Sequence, residues 1–103
     1  MTNAKEEFIG HTSEVKSKVK AVAIYTDDWE QPSIKDCLKV GYTEEDFTSF
    51  LKRLDFKYDS GYGGQELYGM IWYEDGTWSE RGEYDGSEWW DYRAVPSIPE
   101  ELS

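Results

Sequence analysis

The chain has 103 residues and a net charge of −11, from 22 acidic residues against 11 lysines and arginines. That length suits one domain with a modest core, since folding at this size removes roughly two thirds of the unfolded surface from water. The charge excludes direct binding to nucleic acid or to an anionic membrane, both of which need Lys and Arg to meet phosphate, and makes a basic protein surface the natural partner.

Residues 1–14 are polar, with Phe8 and Ile9 as the only apolar anchors, and predict an N-terminal arm. They lack the apolar run of a signal peptide, and no stretch of the chain approaches the roughly 20 apolar residues of a membrane span, so a cytoplasmic location is expected. Val15 to Tyr25 alternate lysines 16, 18 and 20 with small or branched apolar residues and predict a strand entering the core. Asp27, Asp28, Trp29, Glu30, Gln31 and Pro32 predict a loop. A short strand from Ile34 to Val40, closed by Gly41, carries Cys37. A lone cysteine cannot close an internal disulfide, which fits a reducing compartment and a small core hydrophobe.

The segment GYTEEDFTSFLKRLDF predicts a helix over 43–54. Thr43 is a natural N-cap, Glu44, Glu45 and Asp46 suit the positive end of the dipole, and Lys52 and Arg53 suit the other end. Tyr42 and Phe47 hold the positions of a hydrophobic staple. Phe47, Phe50, Leu51 and Leu54 form one apolar stripe that must pack on a sheet.

A glycine-rich link, KYDSGYGGQE, leads to a meander in which Asp75-Gly76 and Asp85-Gly86 both suit two-residue type I′ hairpins. Residues 96–103, PSIPEELS, form a proline-containing tail. The expected domain spans 15–95. Its fold class is α+β, a four- to five-stranded mainly antiparallel sheet with one amphipathic helix packed on a face.

The charge is unevenly spread: residues 58–103 hold eleven acids against Arg81 and Arg93, while the first 57 residues hold eleven acids against nine bases. The same half holds four of the five tryptophans and six of the eight tyrosines. With two-residue loops at both turns, Tyr73 faces Trp78, and Met70, Arg81 and Trp90 share a row, with Arg81 over the Trp90 ring. Trp72, Ser79 and Tyr92 share the next row. Gly69 and Gly82 then lie opposite Trp89, so that its indole crosses two residues without side chains. Ile71 falls in line with Glu80 and Asp91, and Tyr68 with Glu83 and Glu88. Like charges directly opposite are unfavourable, so these pairs bind a cation, share a proton or splay into water.

Catalytic groups are sparse. His11, the only histidine, lies in a polar stretch without evident partners and reads as solvated or capping, and Cys37 with His11 makes no convincing thiol dyad. Asp27, Asp28 and Glu30 lack the spacing of a calcium loop. No catalytic residue, metal site or cofactor is therefore predicted. The predicted partner-binding set is Glu80, Glu83, Asp85, Glu88 and Asp91 with Trp89, Trp90 and Arg81. Aromatic residues beside paired acids also suit carbohydrate, which makes a sugar-binding module the alternative.

The segment from Leu54 to Leu102, through GYGGQELYG, WYEDGTWSERGEYDGSEWW and PSIPEEL, resembles a family of small, mostly unannotated proteins encoded by tailed bacteriophages and other large DNA viruses. The resemblance covers about half the chain and brings no activity with it. It implies a viral accessory gene, of the kind that encodes small binders of host proteins. Small size and strong acidity are similar to DNA-mimicking anti-restriction and anti-CRISPR proteins. The expectation is thus a non-enzymatic protein that binds a basic surface of a host protein, one that itself handles nucleic acid. An immunity-type nuclease inhibitor would carry the same features.

Overall fold

The computed structural model describes residues 2–25, 34–58, 67–84 and 87–102. Among these, strands β1 (Thr2–Asn3), β2 (Val19–Tyr25), β3 (Ile34–Leu38), β4 (Lys57–Tyr58), β5 (Tyr68–Tyr73), β6 (Trp78–Tyr84) and β7 (Ser87–Arg93) alternate with helices α1 (Ala4–Glu14) and α2 (Glu44–Arg53). A five-stranded sheet in the order β3-β2-β5-β6-β7 is antiparallel throughout, and β1 pairs with β4 in a separate antiparallel ribbon. The fold is α+β, as expected. No helix among the described residues is long and apolar enough to cross a membrane.

Helix α2 forms for the reasons its sequence announces. The Thr43 hydroxyl accepts from the Asp46 N–H, the Asp46 carboxylate accepts from the Thr43 N–H, and the Tyr42 and Phe47 rings stack 5.8 Å apart. Phe50 and Leu54 are buried, while Phe47 and Leu51 are partly buried against the same core. Leu54 is the C-cap.

The N-terminal segment is not an arm. Asn3 caps α1 by accepting from the Glu6 N–H, and the Ala4 N–H donates to the Phe56 carbonyl where β1 meets β4. Phe8 is fully buried, with its ring 5.4 Å from Phe50 and 6.4 Å from Trp90. Both helices therefore cover one face of the sheet, where Val22, Ile24, Leu38, Ile71, Tyr73 and Trp90 complete the core.

Other boundaries also move. Strand β2 begins only at Val19, leaving Lys16 and Lys18 ahead of it, and β3 ends at Leu38. Cys37 is half-buried rather than a core residue. The loop expected at 27–32, most of the glycine-rich link and the Asp85-Gly86 turn lie outside the described residues. Residues 96–102 of the tail are exposed and hold one 3-10 turn, Glu100–Leu102.

The first hairpin differs from the type I′ expectation by one residue. The Gly76 N–H donates to the Tyr73 carbonyl, the Tyr73 N–H donates to the Thr77 carbonyl, and Gly76 has φ +87°. This is a tight turn followed by a left-handed glycine bulge, which adds a residue to the loop. Trp72, not Tyr73, consequently faces Trp78, while Met70 faces Glu80 and Ile71 faces Ser79. The second hairpin keeps the expected register, with Arg81 opposite Trp90, Glu80 opposite Asp91 and Glu83 opposite Glu88.

Candidate interaction surface

Strand alternation sorts the meander onto two faces. The helix-covered face receives Gly69, Ile71, Tyr73, Ser79, Arg81, Glu83, Glu88, Trp90 and Tyr92; the other receives Met70, Trp72, Trp78, Glu80, Gly82, Trp89, Asp91 and Arg93. Glu80 with Asp91 and Glu83 with Glu88 thus stand on opposite faces.

Under the helices, Arg81 is the centre of a buried ionic cluster. Its side chain is 2% exposed, and it donates to Glu7 Oε1 at 2.9 Å, to Glu88 Oε1 at 3.3 Å, to the Tyr58 hydroxyl at 2.8 Å and to the Leu67 carbonyl at 3.3 Å. The guanidinium also lies 4.9 Å from the Trp90 ring centroid, the cation-π contact that the second hairpin predicts. Glu88, with a fully buried side chain, additionally accepts from the Leu67 N–H at 2.9 Å. Burial first, and then its hydrogen bond to Glu7, hold the Tyr58 phenol well above its ordinary pKa. Such a cluster is stable only because nearly every charge in it is matched.

His11 belongs to the same face. Its Nε2 lies 2.8 Å from Ser79 Oγ, which is 2.7 Å from the Tyr73 hydroxyl, and its ring stacks on Trp90 at 6.4 Å. Burial lowers the His11 pKa and raises that of Tyr73. The imidazole lines an open cleft of about 430 Å³ with Glu14, Val15, Lys16, Asp75 and Tyr92, but the Ser79 hydroxyl behind it is fully buried and has no access to a substrate. Cys37 is not near: β2 and β5 separate its strand from β6, over which His11 sits.

No described element covers the opposite face. Trp72 and Trp89 are 39% and 40% exposed there, Trp78 and Met70 are half-buried, and across β2 Ala21 is half-buried while Ala23 is buried. Trp89 lies flat across Gly82, since a Cβ on Gly82 would stand 2.6 Å from the indole Nε1. Trp90, on the other face, lies across Gly69 instead. Arg93 bridges the opposed acids on the open face: its Nε is 3.1 Å from Glu80 Oε1 and its Nη2 2.8 Å from Asp91 Oδ2.

The predicted partner-binding set is therefore divided. Arg81, Glu88 and Trp90 are buried and cannot touch a partner; Glu80, Asp91 and Trp89 share the open face; Glu83 is exposed toward the helix side; Asp85 lies outside the described residues. Arg93 bridges Glu80 and Asp91, and Arg81 holds Glu88, so a continuous acidic row does not form. The expectation overlooked Arg93, Trp72 and Trp78. The period-2 placement of Asp91 and Arg93 on β7 was the available signal for the first. Among the described residues no group of three or more His, Cys, Asp or Glu side chains could hold a metal ion together. Comparison with protein-family models, with curated proteins and with solved structures gives no significant match.

Proposed function

We propose that this chain is a non-enzymatic interaction protein that docks the open face of its sheet on a basic surface of another protein. The observation that carries this reading is the set of three indoles, Trp72, Trp78 and Trp89, on a face that no described element covers. Aromatic side chains exposed together on a small domain are characteristic of recognition surfaces. A charge of −11 selects a basic partner and speeds the encounter.

The resemblance to viral proteins extends the proposal to a host protein, met in the cytoplasm of an infected cell and itself a binder of nucleic acid. Counter-defence inhibition of the anti-restriction or anti-CRISPR kind is the activity proposed. The aromatic face, rather than a row of phosphate-like acids, would then carry most of the contact. Capture from a bacterial lysate tests this, with wild type and a Trp72→Ala/Trp89→Ala variant of unchanged circular dichroism as paired baits. A protein retained by wild type and lost from the variant is the expected result; identical captures would refute the face.

Carbohydrate is a second reading, favoured by the same three indoles standing beside the polar groups of Glu80, Asp91 and Arg93. Quenching or enhancement of tryptophan fluorescence by defined oligosaccharides, abolished by Trp72→Ala/Trp89→Ala, would move it ahead.

A further inference from the structure

The open face contains a cation position that the chain fills with its own side chain. Glu80 and Asp91 are directly opposite on β6 and β7, which is unfavourable unless a cation lies between them. Arg93 is that cation, yet the bridge faces water: the side chains of Arg93, Glu80 and Asp91 are 53%, 45% and 38% exposed. Exposed pairs of this kind are weak and exchange readily. Arg81 is the contrast within the same meander, held by two carboxylates at 2% exposure.

The surroundings suit a guanidinium. Trp78 is directly opposite Arg93, Trp72 is directly opposite Trp78, and Trp89 precedes Asp91 by two residues on the same face. A guanidinium forks to carboxylates through its edge and stacks on indoles through its plane, whereas an ammonium does only the first well.

We infer that Glu80 and Asp91 form the receptor for an arginine side chain of the docking partner, and that Arg93 is the resident group which that arginine displaces. The inference rests on the docking reading above and adds its chemistry. Charge complementarity selects the occupant: two acids meet one arginine on this face, in a chain whose net charge is −11. Arg93, half-exposed and on a flexible stem, can swing into solvent when the partner arrives.

Hexa-arginine, hexa-lysine and hexa-citrulline peptides are suitable probes, read by the indole N–H resonances of Trp72, Trp78 and Trp89. Hexa-arginine should shift Trp78 and Trp89 at lower concentration than hexa-lysine, and hexa-citrulline should shift neither. Arg93→Ala should tighten hexa-arginine binding about three- to fivefold, the factor that losing one exposed competing pair allows. Glu80→Gln/Asp91→Asn should weaken it at least as much. Glu44→Gln/Glu45→Gln, an equal change of charge on exposed residues at the start of α2, should weaken it far less.

Unchanged or weaker binding in Arg93→Ala overturns the receptor, as does equal weakening by the Glu44/Glu45 control. In either case indole shifts with hexa-arginine would leave the docking face standing, whereas a captured partner insensitive to Trp72→Ala/Trp89→Ala would remove the face itself. Indole shifts caused by protein concentration alone would make a second copy the occupant, and shifts with cellohexaose but not hexa-arginine would make it carbohydrate. Both of these results overturn the inference.

Discussion

Arg81 Nη1 lies 2.9 Å from Glu7 Oε1, joining the middle of strand β6 to helix α1 across the core. Glu88 accepts from the same guanidinium and from the Leu67 N–H, and the Tyr58 hydroxyl accepts from Arg81, so five segments of chain meet at one charge cluster. Arg81→Met removes the cation that Glu88 and Glu7 both face in this buried site. The expected cost is about 3 to 5 kcal/mol, a large share of a typical domain's stability. Arg81→Met/Glu88→Leu should cost less than the single change because it also removes a buried negative charge whose facing cation is gone. Urea unfolding of the three proteins measures this, and a single-variant loss below about 1 kcal/mol would show that the cluster is not stabilising the fold.

The two indoles of β7 make a matched pair of tests. A Cβ at Gly69 would stand 2.6 Å from the Ala23 carbonyl oxygen and 3.1 Å from Trp90, both held in the core. Gly69→Ala should therefore destabilise by about 1 to 3 kcal/mol. At Gly82 the nearest obstacle is the Trp89 indole, which is 40% exposed and able to swing outward. Gly82→Ala should leave unfolding nearly unchanged while altering tryptophan fluorescence. Equal losses in thermal stability for the two variants would contradict the assignment of Trp89 and Trp90 to opposite faces.

These faces were only half legible from the residues. Helix α2 was plain because Thr43, Asp46, Tyr42 and Phe47 all signal the same start. The β6/β7 register followed from counting, and with it the Arg81 and Trp90 contact. The β5/β6 register failed because Asp-Gly serves two turn types, and the bulge at Gly76 adds a residue that flips β5 relative to β6. Helix α1 was missed because AKEEFIGHTSE buries only Ala4 and Phe8, one turn apart, and carries no continuous apolar stripe. Its cap was visible in retrospect, since Asn3 with Glu6 three residues later is a start signal. The acid pairs were placed correctly, with a bound cation among the alternatives, but assigning Arg93 to Glu80 and Asp91 and Arg81 to Glu88 requires knowing which face each arginine takes.

Helix α1 supplies Phe8 to the centre of the core, which turns an apparent arm into a structural element. Phe8→Ala should cost about 3 to 5 kcal/mol, as for a fully buried aromatic. Leu51→Ala should fall toward the low end of the 2 to 5 kcal/mol range usual for Leu, because Leu51 is only partly buried. Thermal melts that rank Leu51→Ala as the costlier change would mean that α1 is not integral to the domain.

The last prediction concerns pH. His11 feels the charges of Glu14 and Glu7 on its own helix, of Arg81 on β6 and, through the sheet, of Asp91 on β7; burial outweighs the three acids, and its pKa lies below the ordinary value. The folded protein therefore resists a proton that the unfolded chain accepts at about pH 6.5. Above that pH both states hold a neutral imidazole and stability is full. As pH falls through about 6.5 toward the lowered folded value, the unfolded state gains the proton first and stability declines. The neutral ring suits the chain of hydrogen bonds from Tyr73 through Ser79 to His11 Nε2. Urea midpoints at pH 7.5 and 5.5 should drop more for wild type than for His11→Gln, since carboxylate pairs lose strength mainly at lower pH. The His11 ring proton resonance should titrate below its ordinary midpoint in the same samples. Equal drops in both proteins, with an ordinary His11 titration, would place the imidazole in water rather than between Ser79 and Trp90.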